Sequence, residues 1–369
     1  MRLTYLVDLI VGARPNIMKV APIYHALDRN DNFRIRLIHT GQHSSDNMSK
    51  TFFELLSLPA PDHILSGVSG SPSQQTASIM AFYDEILRGG KPDMCIVVGD
   101  VTSSLACAIV AVKEGIPLAH VEAGLRSHDR TMPEEINRIV IDSISDIFYT
   151  PSIDANENLL REGKSKVDIE MVGNVMIDSF EMLRSQIENM KAWKARGLIK
   201  KGYGVATFHR PANVDNPEVL KMIVNQLNLL SSDIPLVFPI HPRTESKLKT
   251  FGLENALYKN RIVVCDPLNY VEFMSLVVGC KLVITDSGGV QEETTYLGIP
   301  CLTVRENTER PITITDGTNQ LVHIGDLART ATEASLSPHR LTKIPPLWDG
   351  MTAVRIVKHL ESYLAKVRD

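Results

Sequence analysis

Residues 3–27 read LTYLVDLIVGARPNIMKVAPIYHAL, and the pattern of apolar side chains changes period at Gly12. Residues 3–11 are an apolar run broken only by Thr4 and Asp8, which reads as a buried strand. Beyond it Ile17, Val20, Ala21, Tyr24 and Leu27 fall at offsets of 3, 4, 7 and 10. That spacing marks one face of a helix, with Pro15 in its first turn. Strand then helix is the opening half of a βαβ unit, and the theme recurs. RIRLIHT (34–40), MCIVVG (94–99), PLAHVE (117–122) and IFYT (147–150) read as further strands, each trailed by a helical stretch. Such alternation predicts a parallel sheet covered on both faces, the doubly wound α/β class.

The series restarts after about residue 172, with YGVATFH (203–209), PLVFPIH (235–241), RIVVC (261–265), KLVITD (281–286) and PCLTV (300–304). Between the two series lies VGNVMID (172–178), whose Gly-Asn pair can hinge two domains. A length of 369 residues suits two domains at about 150 residues each. The expectation is two Rossmann-like domains, 1–172 and 173–350, with an interdomain cleft and a last helix within 351–369.

Composition narrows the class. With 44% hydrophobic and 22% charged residues, each domain can bury a full core, which excludes disorder, a collagen-like chain and a disulfide scaffold. A net charge of −4 argues against a nucleic-acid coat and a polybasic membrane anchor. No apolar run approaches the ~18–20 residues of a membrane span. The N-terminal stretch carries Asp8 and lacks a small-residue cleavage site, so a strand is expected there instead of a leader. Cys95, Cys107, Cys265, Cys280 and Cys301 are scattered singly, as expected for buried reduced thiols in a cytoplasmic protein. No repeat of solenoid period and no low-complexity segment occurs.

Ligands of open α/β sheets bind at the carboxyl ends of strands. After the first strand, Gly12 permits a tight turn, and Arg14 and Lys19 can reach a phosphate near the helix N-terminus. The alternative there is a plain turn with solvated cations. In TDSGGVQEE (285–293) adjacent glycines expose backbone N–H groups and Ser287 adds a hydroxyl, a nest for phosphate. Glu293, a turn into that helix, is placed to accept hydrogen bonds from a ribose diol. The bland reading is a Gly-rich turn with helix-favouring glutamates. There is no Walker A motif, and no G-x-G-x-x-G follows a strand, which counts against an NTPase and a tightly held nicotinamide. No H-E-x-x-H or Cys/His cluster argues for zinc.

Acids gather in the first domain. Asp100 and Glu122 end strands, where a buried carboxylate is costly without a partner. Glu134 and Glu135 follow Pro133 at a helix start, where acids also simply favour the helix dipole. Carboxylates in different settings can divide the work of acid, base and cation stabiliser. The second domain offers His209-Arg210 and His241-Pro242-Arg243 after strands, and Glu309-Arg310-Pro311 further on. A lone histidine is usually structural, but two beside arginines at strand ends suggest anion binding.

These stretches together resemble the UDP-N-acetylglucosamine 2-epimerase family of the non-hydrolysing type. The pieces are GARPNIMKVAPI, TGQH, VVGDV, HVEAGLRS, PEEINR, VGNVMID, FHRPANV, PIHPRT, DSGGVQEET, LGIPCLTV and RENTERP, in family order from residue 12 to about 311. The resemblance implies a GT-B-type fold, a homodimer, and a C-terminal helix packed back on the N-terminal domain. It also implies reversible inversion at C2 of UDP-GlcNAc to UDP-ManNAc through a 2-acetamidoglucal, with neither NAD nor metal. Its product would feed surface polysaccharide from the cytoplasmic nucleotide-sugar pool. By the same resemblance Arg14, His209, Ser287, Gly288, Gly289 and Arg310 hold the diphosphate, and Glu293 the ribose. Lys19 is a supporting electrostatic contact, and Arg210, His241 and Phe273 belong to the substrate- and UDP-binding set. Asp100, Glu122 and Glu134 match the catalytic carboxylates, with Asp100 a proton-transfer group and His209 assisting departure of UDP.

Some positions depart from the commonest pattern. Asn16 stands where many members have Glu, and HRPAN replaces HRREN. Some members are activated by a second UDP-GlcNAc held by Gln-His-x-x-Gln and a nearby Arg. Gln42, His43, Arg210 and His241 match that set, while Ser45 and Gln74 stand at its other two positions. Relatives acting on diacetamido-uronates, a hydrolysing 2-epimerase that releases ManNAc, and a GT-B glycosyltransferase are the rival enzymes. A nucleotide-sugar sensor would need the ligand loops but not the three carboxylates.

Overall fold

The computed structural model describes residues 4–41, 46–257, 261–336 and 343–368. They form two compact units, Met1–Met182 with Pro346–Asp369, and Leu183–Pro345.

In the first unit the described residues supply seven strands: β1 (Tyr5–Val11), β2 (Phe33–His39), β3 (His63–Ile64), β4 (Met94–Val98), β5 (Leu118–Val121), β6 (Ile147–Thr150) and β7 (Ile169–Met171). Their order is β3-β2-β1-β4-β5-β6-β7, and every pairing is parallel. The winding reverses between β1 and β4, so the loops leaving those two strands flank a crevice at their carboxyl ends. All five residues of β4 are buried, as expected of a central strand with helices on both faces. Asp8, the charge inside β1, sits opposite Arg36 in the register. Both its oxygens accept from that guanidinium at 2.7 Å, and the Tyr83 hydroxyl donates at 2.9 Å.

The helix Arg14–Asp28 follows β1. Pro22 lies inside it and removes the amide that would bond Met18; the Ser179 hydroxyl donates to the Met18 carbonyl instead, at 2.6 Å. Gly12 serves a purpose other than the tight turn expected of it, because its φ is not in the left-handed region. A Cβ at Gly12 would lie 2.1 Å from the buried Ser103 Oγ, so the glycine permits two loops to touch. Asn16 fastens them: its Oδ1 accepts from Gly12 N at 2.8 Å and its Nδ2 donates to Val98 O at 2.7 Å. The helix Thr352–Arg368 belongs to this unit. Asp178 accepts from the first amides, Thr352 N and Ala353 N, at 3.1 and 2.7 Å, and Asn30 donates to Glu361 at 3.1 Å.

The second unit repeats the winding. Its strands are β8 (Gly204–Thr207), β9 (Leu236–Pro239), β10 (Ile262–Cys265), β11 (Leu282–Thr285), β12 (Cys301–Thr303) and β13 (Asn319–Leu321). The order β10-β9-β8-β11-β12-β13 is again parallel throughout. Phe208, Leu227, Phe238, Leu282 and Ile284 anchor its core, and the switch point lies between β8 and β11. Among the described residues no helix is long and apolar enough to cross a membrane. All five cysteines are free; Cys265 is half-buried and the other four are buried.

Candidate functional site

In the first unit the candidate acids cluster where β4 and β5 end. Gly99 and Glu122 lie one residue beyond those strands with φ of +66° and +71°. For glutamate that conformation costs on the order of 1–3 kcal/mol. Glu122 N and Ala123 N both donate to Tyr149 O, at 3.0 and 3.1 Å, which holds the turn. The Glu122 carboxylate is ion-paired with the Lys19 ammonium, both largely buried. A Cβ at Gly99 would stand 2.9 Å from Glu122 Oε2. The turn carrying Asp100 thus lies close against the Glu122 carboxylate, and glycine takes its positive φ without strain.

Asp100 is ion-paired with Arg138, whose guanidinium also grips Glu135. The structure separates the two glutamates that the sequence left as a pair. Glu135 is buried and accepts from Ser127 N and His128 N at 3.0 and 2.9 Å. Burial pushes its carboxyl up, but those amides and the Arg138 guanidinium outweigh it and hold it below the usual range. Glu134 is half-exposed and, among the described residues, makes no side-chain hydrogen bond or ion pair. Glu135 is thus built into the scaffold of these loops, whereas its neighbour Glu134 is not.

Beneath these loops lies a buried charge network that sequence reasoning missed. His120 Nδ1 is 2.6 Å from Asp142 Oδ1 and its Nε2 is 3.3 Å from Gly99 O. Asp142 Oδ2 takes Gly124 N at 3.1 Å and Arg126 at 2.7 Å. Arg126 in turn forks onto Glu162 at 2.8 and 2.6 Å. Full burial raises the Asp142 carboxyl, yet His120 and Arg126 more than offset this and keep it low. His120 and Arg126 stand in HVEAGLRS (120–127), but an alternating buried strand gives no sign of which polar residue faces inward.

In the second unit, Asp286 ties the two switch-point loops. It is fully buried and accepts from His209 N and Arg210 N at 3.1 and 2.9 Å, from Asn213 at 3.1 Å, and lies 3.0 Å from His209 Nδ1. Burial would raise its carboxyl; the His209 and backbone contacts prevail and lower it. The His209 ring lies 5.4 Å from that of His241, which also accepts from Arg243 N at 3.2 Å.

Ser287 caps the helix Gly288–Leu297, yet its side chain makes no capping bond, nor any other hydrogen bond among the described residues. A Cβ at Gly289 would meet nothing within 4 Å, and one at Gly288 would lie 2.7 Å from Arg310 Nη1. The helix therefore starts on two glycines with the Arg310 guanidinium alongside, and helix N-termini of this kind bind phosphate. Arg310 Nη1 donates to Glu309 at 2.5 Å, its Nε stands 2.7 Å from Glu292, and Arg305 reaches Glu309 at 3.0 Å. Burial and the neighbouring charges of Arg210 and Arg310 lower the Arg305 pKa, despite Glu309. The Arg210 Nε is buried without a hydrogen-bond partner. Arg305 and Arg310 thus share Glu309 and Glu292, with Arg210 close enough to act on the Arg305 charge.

Glu293 is buried, with the Tyr270 hydroxyl donating to its Oε1 at 2.7 Å. Phe273 follows in the same helix, Tyr270–Gly279, half-buried. Burial first, then the adjacent Glu292 charge, push the Glu293 carboxyl from 4.5 up to about 8, against the Tyr270 bond. The folded chain therefore holds this proton more tightly than the unfolded chain. Stability is lost as pH rises from 4.5 towards about 8. Glu293→Gln, which cannot ionise, is expected to melt above wild type by a margin that grows through that window. The gain reaches on the order of a few kcal/mol. Thermal melts of ligand-free protein across that range check it, and a margin independent of pH overturns it.

Arg14 begins the helix Arg14–Asp28, and its side chain lies outside the described set. Gln42, His43 and Ser45 also lie outside the described residues. Gln74 forms a capping box with Ser71, its Oε1 accepting from Ser71 N at 2.8 Å, which explains its presence without a ligand.

Comparison with known proteins accords with this arrangement. The family model for UDP-N-acetylglucosamine 2-epimerase matches residues 25–361. The UDP-N-acetylglucosamine 2-epimerase of Methanocaldococcus jannaschii is 42% identical over 96% of this chain and 98% of its own. The UDP-2,3-diacetamido-2,3-dideoxy-D-glucuronate 2-epimerase of Pseudomonas aeruginosa is 39% identical over 85% of this chain and 87% of its own. A crystal structure of the M. jannaschii enzyme with UDP-GlcNAc and UDP superposes with a TM-score of 0.87 at 41% identity, covering 97% of this chain and 99% of that one. Two doubly wound parallel units of GT-B-like fold, with these motifs in this order, are the frame of one family of isomerases. The chain belongs to the UDP-N-acetylglucosamine 2-epimerase family.

Proposed function

We propose that the protein interconverts UDP-N-acetylglucosamine and UDP-N-acetylmannosamine by inversion at C2, without hydrolysis. The carrying observation is the trio of acids in the first unit, each differently held. Asp100 is tied to Arg138 and Glu122 to Lys19, while Glu134 makes no ion pair among the described residues.

The C2–H is weakly acidic, so its loss is coupled to departure of the anomeric substituent. The C2 proton passes to a carboxylate, the C1–O bond breaks with its electrons going to UDP, and a 2-acetamidoglucal remains. Re-addition puts a proton on the other face of C2 and returns the diphosphate oxygen to C1. Inversion therefore needs proton-transfer groups on both faces, which one acid cannot supply. Asp100 serves as one of them. Glu122 and Glu134 share acid/base work and stabilisation of the positive charge that builds on the ring.

The leaving diphosphate gains negative charge, and preorganised donors lower that barrier. Ser287, the Gly288 and Gly289 amides, Arg310 and Arg14 take the diphosphate, and His209 assists departure by hydrogen bonding to it. Lys19, Arg210 and His241 add positive potential, while Glu293 accepts from the ribose diol and Phe273 lies against the nucleotide. We assign the first unit to the sugar chemistry and the second to UDP. The resemblance extends the proposal to a cytoplasmic homodimer supplying ManNAc for surface polysaccharide, and to activation by UDP-GlcNAc through Gln42, His43, Arg210 and His241.

Proton NMR of the purified protein with UDP-GlcNAc in D2O, with no added NAD or metal, tests the reading. UDP-ManNAc carrying deuterium at C2 supports it. Free ManNAc with UDP would replace it by hydrolysing epimerisation. The P. aeruginosa relative favours one second reading, a UDP-diacetamido-uronate substrate. Exchange at C2 of that sugar with UDP-GlcNAc untouched would establish it.

A further inference from the structure

The geometry points to His120 as a positioning residue that fixes Asp100 and Glu122 against each other; this rests on the roles proposed above for those two acids. Its ring makes two hydrogen bonds, and both partners are oxygens. Nδ1 faces the Asp142 carboxylate at 2.6 Å and Nε2 faces the Gly99 carbonyl at 3.3 Å. The ring is fully buried, and its carboxylate partner Asp142 is shared with Arg126, which also holds Glu162.

The network reaches both catalytic turns. His120 holds the carbonyl of Gly99, the residue before Asp100, while Gly99 N donates to Val121 O at 2.9 Å. The other oxygen of Asp142 holds Gly124 N, two residues after Glu122, at 3.1 Å. Asn158 closes the same turn by donating to Gly124 O at 2.9 Å. Gly99, Glu122 and Gly124 all take positive φ, +66°, +71° and +81°. The glycines take that conformation freely, but Glu122 holds it only where its surroundings over-determine it. One buried dyad therefore clamps both loops from below, without touching substrate. Misplacement of a reacting group by about 1 Å can cost about 10²-fold in rate.

The test is His120→Ala, assayed for UDP-GlcNAc turnover per UDP-binding site, so that unfolded protein is not counted. The expected kcat is about 10²-fold below wild type, with KM and UDP affinity within about threefold. Added imidazole, which fits the space vacated, is expected to restore about tenfold. A kcat within about threefold of wild type overturns the inference, as does a loss that imidazole leaves unchanged. His120→Gln, which keeps an amide donor, is expected to lose less kcat than His120→Ala and is assayed in its place if the alanine variant does not fold; an equal loss in both overturns the inference. Wild-type protein inert on both UDP-GlcNAc and the diacetamido-uronate would sink the epimerase reading, whereas an active wild type whose kcat His120→Ala leaves unchanged would sink this inference alone.

Discussion

Glu122→Gln is expected to lower turnover about 10³-fold while UDP affinity stays within about twofold. The substitution keeps shape and hydrogen-bonding capacity and removes the charge and the proton acceptor. The backbone is indifferent to it, because the bonds that hold residue 122 run from its own amide and that of Ala123 to Tyr149 O. The left-handed φ of +71° is equally costly for either residue. What changes is the partner of Lys19, which loses its carboxylate in a nearly buried place. The residues proposed to hold the diphosphate, Ser287, Gly288, Gly289 and Arg310, keep their identities in the variant. The effect should therefore fall on kcat and on deuterium incorporation at C2, with calorimetric titration of UDP nearly unaltered. Turnover within about threefold of wild type would remove Glu122 from the catalytic set.

The fold was legible because long strands announce themselves. Residues 3–11 and 94–99 are apolar enough to be central, and the restart after about 172 marked a second sheet. The edge strands His63–Ile64, Ile169–Met171 and Asn319–Leu321 were not legible, since two or three residues show no period. Acids and glycines at strand ends, Asp100, Glu122 and DSGG, stood out because the sheet topology says where to look. Their supports did not. Arg138 and Asp142 act through partners 38 and 22 positions away, Asp100 and His120. Nothing local distinguishes them from surface charges. Gly12 was noticed for the wrong reason, because a collision with Ser103, about ninety residues on, is invisible in a loop read alone.

Arg310→Ala is expected to weaken UDP binding by about 10²-fold and to destabilise the protein as well, and the two effects have separate causes. The binding loss follows from the charge-assisted bonds a guanidinium makes to a diphosphate. Gly288 packs so closely that a Cβ there would lie 2.7 Å from Arg310 Nη1, so the arginine flanks the amides of the nest. The stability loss follows from what is left behind. Glu292 and Glu309 are both buried; Glu309 keeps Arg305 at 3.0 Å, but Glu292 loses the Nε that stood 2.7 Å away. Breaking a buried pair from one side costs roughly 3 kcal/mol, read as a lower melting temperature without ligand. Arg310→Lys separates the two. A lysine restores charge beside the glutamates and so recovers much of the stability, but it lacks the planar fork and leaves UDP binding impaired. Raising salt should weaken wild-type UDP binding more than that of Arg310→Ala, since one screened charge has been removed. If Arg310→Ala binds UDP as wild type does, Arg310 lies outside the diphosphate site. The nest of Ser287, Gly288 and Gly289 would then draw its positive potential from Arg210 and Arg305; burial first, and the Arg210 charge after it, lower the Arg305 pKa.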